Sequence, residues 1–220
     1  MKFDFATNGH IFGEAIATTL YIVSMALGIG GIVGLALGVV LFVTRKGGLR
    51  PSPVAFTLLN LVINFFRPIP FIIFITAVGP LTLALIGSTI GTNAFIFPLA
   101  IMVSFASARL VEQSLVAIDP GVIEAARSMG ASTGTIVRTV VIPEALAPLI
   151  LAYTYLFVAV VDMSALAGIV AGGGLGAFAL SYGYQRFDWA ITWITVGLIV
   201  VLVQSVQFLG NVLARKALHH

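Results

Sequence analysis

The chain has 220 residues, of which 60% are hydrophobic and only 9% charged, with a mean hydropathy of +1.13. A water-soluble domain carries about 25% charged residues, so composition excludes a soluble globular protein and predicts an all-α integral membrane protein forming one domain, residues 1–220. A net charge of +3 gives no reason to expect nucleic acid, and the absence of cysteine excludes disulfides, thiol nucleophiles and cysteine-bound metals.

The opening MKFDFATNGHIFGEA contains two acids before any apolar run and does not read as a cleavable signal peptide. A crossing needs about 20 predominantly apolar residues, and helices satisfy every backbone group in hydrocarbon within one segment. The first candidate covers 15–44, uncharged and rich in glycine (Gly28, Gly30, Gly31, Gly34, Gly38). Residues 68–108 are also uncharged but too long for one crossing, and Gly79-Pro80, Gly87-Ser88 and Gly91-Thr92-Asn93 break them. The pattern therefore predicts a second span over 54–78 and a third over 94–108, continuing through Arg109 towards Val116. A fourth covers 145–169 and a fifth 190–213.

Lys and Arg accumulate in cytoplasmic loops. With the N-terminus outside, Arg45, Lys46, Arg50, Arg109, Arg127, Arg138, Arg215 and Lys216 fall inside, and only Lys2 and Arg186 outside. Arg67 then sits near the cytoplasmic end of span two, snorkelling beside Pro68 and Pro70. The expectation is N-out, C-in. No internal repeat is visible, which gives an inverted-repeat carrier no support. Five spans are too few to enclose a two-sided pathway easily, so a homodimer with span four near the shared axis is expected.

That orientation places 117–144 in the cytoplasm, including the charged island DPGVIEAARSMGASTGTIVRTVVIP (119–143). Asp119 before Pro120 is a helix start: a side-chain oxygen for the first free N–H groups, then proline at the first helical position. The helix runs through Glu124, Ala125 and Ala126 to Met129 and stops at Gly130, a residue that accepts a left-handed C-terminal conformation. Ser132 caps a second short helix with Ile136, Val137, Val140 and Val141 as its apolar face, ended by Pro143. Such a polar hairpin between apolar spans offers a surface to a partner in water.

Asp162 falls near the middle of span four, where an acidic group costs roughly 2.5–3.5 kcal/mol on insertion scales. Either it lines a translocation path with Met163 and Ser164, attracting a substrate ammonium, or it makes a buried hydrogen bond to a neighbouring helix. Gly172, Gly173, Gly174 and Gly176 lack the Gly-Lys-Ser/Thr of a phosphate loop and read as a flexible outer turn. Tyr182, Tyr184, Phe187, Trp189 and Trp193 read as an aromatic belt at the outer interface. Arg109 and Glu112 are three apart and can pair on one helix face. No Ser/His/Asp set, carboxylate pair or metal-ligand spacing stands out, and His10, His219 and His220 are given no role.

EAARSMG (124–130), nine residues and then VVIP (140–143) resemble the EAA loop of ABC importer permeases, in which Glu-Ala-Ala, three residues, Gly, nine residues and Ile-x-Leu-Pro recur. Glu124, Ala125, Ala126, Gly130 and Pro143 match in spacing, while Val140 and Ile142 replace the usual Ile and Leu. FRPIPF (66–71), ARLVEQSL (108–115) and SALAGIVAGGGLGAFALSYGY (164–184) are similar to the methionine-uptake permeases of that superfamily. Asp162-Met163-Ser164-Ala165 stand where those usually have Gly-Tyr-Ser-Ala. The resemblance implies a type I permease fold with five spans in the bacterial cytoplasmic membrane, importing methionine or a related amino acid. It implies that the loop forms coupling helices in a groove of an ATP-binding subunit, Glu124 meeting a basic residue there. It also implies a homodimer, two such subunits holding ATP and Mg, and an extracytoplasmic, often lipid-anchored, binding protein. The chain itself would be no enzyme and hold no cofactor. The alternatives are a secondary carrier or channel working alone, a membrane scaffold, or an importer of another amino acid or a short peptide.

Overall fold

The structure is a computed structural model describing residues 5–218, with side chains over 8–218; Lys2, His219 and His220 lie outside the described residues. The first helix, α1 (Phe5–Thr44), has 40 residues, about 60 Å at 1.5 Å per residue and twice the ~30 Å hydrocarbon layer. It begins ahead of the expected residue 15, running through Asn8-Gly9 despite the turn preference of that pair. The second span is not one rod. Helices α2 (Pro53–Phe66) and α3 (Phe71–Ala77) meet at 107°, and Arg67 sits in the break rather than near a cytoplasmic end. Pro68 and Pro70 remove two N–H donors from the segment between the helices, and the helical run breaks there, Arg67 being the last residue to keep helical angles. Helix α4 (Gly79–Ile86) follows and ends at Gly87, whose φ of 81° is the left-handed cap.

Helix α5 (Thr92–Val116) is the third span. The polar loop contains α6 (Pro120–Ser128), α7 (Thr133–Ile136) and α8 (Ile142–Glu144). Then come α9 (Leu146–Ser164), prolonged by a 3₁₀ stretch over Ala165–Val170, the short α10 (Gly174–Phe178), and α11 (Trp189–Leu218). Among the described residues, four helices are long and apolar enough to cross a membrane, and the bent α2–α3 pair makes a fifth if counted as one span.

The bundle is organised around α5, the most buried of the long helices. α1 lies along it through Gly30, Gly34 and Gly38, spaced one turn apart. A Cβ at Gly34 would fall 2.4 Å from Ser107 Cβ and 2.7 Å from the Ser104 carbonyl; at Gly30 and Gly38 it would meet the carbonyls of Ala100 (2.6 Å) and Ala108 (2.7 Å). Small residues let backbones approach this closely in membranes, where packing rather than water exclusion drives association. Tyr153 on α9 ties the third wall in: its hydroxyl donates to the Gly31 carbonyl (2.6 Å) and accepts from Ser107 on α5 (3.0 Å). A central core of Ile22, Phe74, Phe95, Leu99 and Val160 fills the space between these helices.

The glycine segment at 172–174, expected to be a flexible turn, is instead a packed clasp. Gly91 N–H donates to the Val170 carbonyl (2.8 Å), Thr92 Oγ1 to the Gly172 carbonyl (3.0 Å), and Leu175 N–H to Thr19 Oγ1 (2.8 Å). Gly173 and Gly174 hold φ of 76° and 88°, a conformation glycine adopts at little cost. These bonds join the start of α5 and the 3₁₀ extension of α9 to Thr19, well inside α1. Of the aromatic residues near this end, Tyr184, Phe187, Trp189 and Trp193 are exposed, while Tyr182 stacks on Phe178 with ring centroids 5.0 Å apart.

The glycine seam makes a direct prediction. Overpacking costs typically ~1–3 kcal/mol or more, so Gly34→Leu should lower unfolding stability in mixed detergent by over ~2 kcal/mol. Gly28→Leu, where nothing lies within 4 Å, should stay within ~0.5 kcal/mol. Equal losses at the two positions would contradict the seam.

Candidate functional site

The polar loop is built from local signals and then fastened to the bundle. Asp119 Oδ1 accepts from the Gly121 N–H (2.8 Å), capping α6. At the other end Gly130 takes φ 76°, and the Gly130 and Ala131 N–H groups donate to the carbonyls of Arg127 (2.9 Å) and Ala126 (3.2 Å). That pair of bonds is the Schellman closure of a helix. Ser132 caps α7, accepting from the Thr135 N–H. The expected stop at Pro143 does not occur. The chain passes Pro143 through a wide π turn over Val137–Val141 into α8, because an i→i−5 bond from Ile142 absorbs the ring that an α-helical turn would exclude.

One face of this hairpin is locked inward. Ala126, Ile136 and Val141 join Phe42 of α1, Val111 and Leu115 of α5, and Leu149 of α9 in a second core. Arg127 Nη2 donates to the Gly48 carbonyl in the turn after α1 (2.8 Å). The other face is open: Glu124, Ala125, Gly130 and Pro143 are exposed, and Met129 is 80% exposed. Of the five residues singled out in sequence, four thus lie on the outer surface, while Ala126 serves the core.

A polar cluster stands at the loop-bearing half of the bundle. Arg109 pairs with Glu112 as expected, and its Nη2 also donates to Asn60 Oδ1 (2.6 Å) and Asn64 Oδ1 (2.7 Å) on α2. Glu112 is only 7% exposed. The two asparagines, four residues apart on one face of α2, went unread in sequence; their spacing was the available signal.

Residues 162–164 do not share one surface. Asp162 is exposed and has no hydrogen-bond partner among the described residues, which removes the buried-bond reading within this chain. Met163 packs against the central core, and Ser164 is buried with its hydroxyl donating to the Val161 carbonyl (2.7 Å). On the same exposed face of α9 as Asp162 lie Tyr155 and Leu151, and beside them an open groove runs between α9 and α11, with Gln204, Gln207 and Asn211 along its other side.

The match to known proteins extends over this whole arrangement. Residues 30–219 match the family model described as the binding-protein-dependent transport system inner membrane component. The chain belongs to this permease family. The probable D-methionine transport system permease protein MetI of Vibrio cholerae is 40% identical over 215 residues, covering 98% of this chain and 96% of that one. The methionine import system permease protein MetP of Bacillus subtilis is 39% identical over 173 residues, covering 79% and 78%. Among solved structures, a chain of the MetNI methionine ABC transporter in inward-facing conformations superposes on this permease with a TM-score of 0.92 at 35% identity, covering 96% and 98%. A chain of an amino acid ABC transporter crystallised with histidines gives 0.78 at 23% identity, a likeness of fold alone.

The polar cluster of this permease is testable without a transport assay. Removing one partner of a buried ion pair costs about 3–5 kcal/mol, whereas replacing both by apolar groups is often near neutral. Arg109→Leu should therefore destabilise the permease by about 3 kcal/mol or more, and Arg109→Leu with Glu112→Leu by less than the single change. A double variant as unstable as the sum of its parts would refute the pairing.

Proposed function

We propose that this chain is the membrane-spanning permease of an ATP-driven importer of methionine or a closely related amino acid. The observation that carries the reading is the two-faced loop: Glu124, Ala125, Met129 and Gly130 open to a partner, with Ala126, Ile136 and Val141 fixed in the bundle. A carrier working alone would have no use for that open face. The likeness to methionine permeases over nearly the full chain supports the substrate.

In this reading the N-terminus is outside, the C-terminus inside and the loop cytoplasmic. The working unit is a homodimer with two ATP-binding subunits below and an extracytoplasmic, lipid-anchored binding protein above. ATP and Mg belong to the partner subunits, and this chain performs no hydrolysis. When ATP draws those subunits together, α6, α7 and α8 move with them. The core they share with α1, α5 and α9 carries the motion into the membrane and turns the pathway from inward- to outward-facing. Substrate enters from the binding protein, passes Asp162 with Met163 and Ser164 behind it, and leaves inward after hydrolysis. Glu124 is the charge partner of a basic residue in the ATPase groove, Ala125 the close-packing position beside it, and Gly130 and Pro143 shape the turns.

Two results test this. Purified gently from its native membranes, the chain should bring an ATP-binding subunit in near-equal amount by mass spectrometry; a stable oligomer without one, even after crosslinking, would refute the reading. Glu124→Lys should insert normally yet cut uptake by more than about 30-fold, since like charges facing across an interface cost several kcal/mol. Normal uptake in that variant would remove the loop from coupling.

A further inference from the structure

Span five carries three amides whose chemistry the loop-driven motion does not use. Gln204, Gln207 and Asn211 recur on α11 at intervals of three and four residues, so they occupy one helix face over about 10 Å. Gln204 and Asn211 are exposed and Gln207 half-buried, and none of the three side chains has a hydrogen-bond partner among the described residues. Gln204 lies midway along the 30-residue helix, at the depth of the hydrocarbon. An amide moved from water into alkane without a partner costs ~4–8 kcal/mol, so three on one face are incompatible with contact to lipid tails.

That face looks into the groove shared with α9, about 440 Å³ of space, within the ~300–1,000 Å³ of small-molecule sites. Thr154 and the 68% exposed Tyr155 stand on its opposite wall. Asp162 continues the line seven residues beyond Tyr155, on the same side of α9.

We propose that this face is the wall of the inner half of the transport passage, closed by the same face of a second copy, where the amides of Gln204, Gln207 and Asn211 bind the ammonium and carboxylate of a zwitterionic amino acid in transit. The inference rests on the importer reading. Each amide carries both a donor and an acceptor, so one residue type serves both ends of a zwitterion. An amide carries no net charge, so its bonds to the ammonium and carboxylate lack the added ion-pair attraction that a charged side chain would exert in a low-dielectric passage. A ladder of amides therefore replaces the hydration of the solute without trapping it, as conduction demands.

The chain has no cysteine, so single cysteines report without background. In the assembled transporter, Gln204→Cys, Gln207→Cys and Asn211→Cys should react with a charged, membrane-impermeant methanethiosulfonate at least about tenfold faster than Leu209→Cys, a factor equal to 1.4 kcal/mol of access. Leu209 lies at the same depth on another side of α11 and is itself 58% exposed in the single chain. Saturating methionine should slow the three fast reactions. If all three reacted as slowly as Leu209→Cys in a complex that imports methionine, the passage assignment would fall and the importer reading would stand. Fast labelling that methionine leaves unchanged in an importing complex would overturn the contact with substrate. Fast labelling alongside an unsubstituted complex that imports no methionine would instead overturn the reading on which the proposal rests.

Discussion

Helix α5 is enclosed by protein along 67% of its most apolar stretch, against 39% for α1, 28% for α9 and 11% for α11. The gradient follows from one contact. Glycines at 30, 34 and 38 allow α1 to lie against α5 at backbone distance, which fixes α5 in the centre and leaves its remaining sides to α2, α3 and α9. In a bilayer no water is expelled when helices meet, so the seam must be held by close packing. Any side chain at Gly34 would push α1 away and loosen every element that depends on α5. At the other extreme, α11 leans mainly on α9 within the single chain, and its polar stripe is the feature that most needs another surface.

The same central helix explains how a short polar loop can act on a membrane domain. Helices of nine and four residues are unstable alone, so α6 and α7 owe their order to what they bury. What they bury is the end of α5, through Val111, Leu115 and the following Ile118, together with Phe42 and Leu149. In the proposed coupling, a push on the open side of α6 would act on a helix already packed against the bundle. It reaches α5 and α9 through side chains already in contact, with Arg127 bound to Gly48 steadying the turn after α1. The cluster of Arg109, Asn60 and Asn64 around the buried Glu112 extends the rigid region to α2.

Much of this was legible in the sequence where the signal is local. Uncharged runs gave the spans, and Asp119-Pro120, Gly130 and Ser132 gave the loop helices and their caps, because each such residue acts on backbone groups within one turn. What the sequence hid depends on direction and partner. Pro68 and Pro70 announced a break in span two, but the 107° turn is set by where α3 packs. Pro143 looked like a helix end because an α-helical turn excludes it; a π turn does not. Gly172 to Gly174 looked mobile because their bonding partners, Thr19, Gly91 and Thr92, lie far away in sequence. Hydropathy averages also concealed the amides of α11, since three polar residues in thirty barely change a mean while defining a face. Asp162 was conspicuous, and its exposure leaves it facing whatever lies beside α9.

The central claim is that this permease is moved by ATP bound to a partner and does not transport by itself. The most direct measurement is methionine uptake into proteoliposomes holding the permease with its ATP-binding subunits and binding protein, with ATP and Mg supplied on the side of the loop. The account predicts accumulation above the external concentration only when hydrolysable ATP is present, and none from the permease alone. Equilibration of methionine through the permease alone, unaffected by ATP, would contradict it.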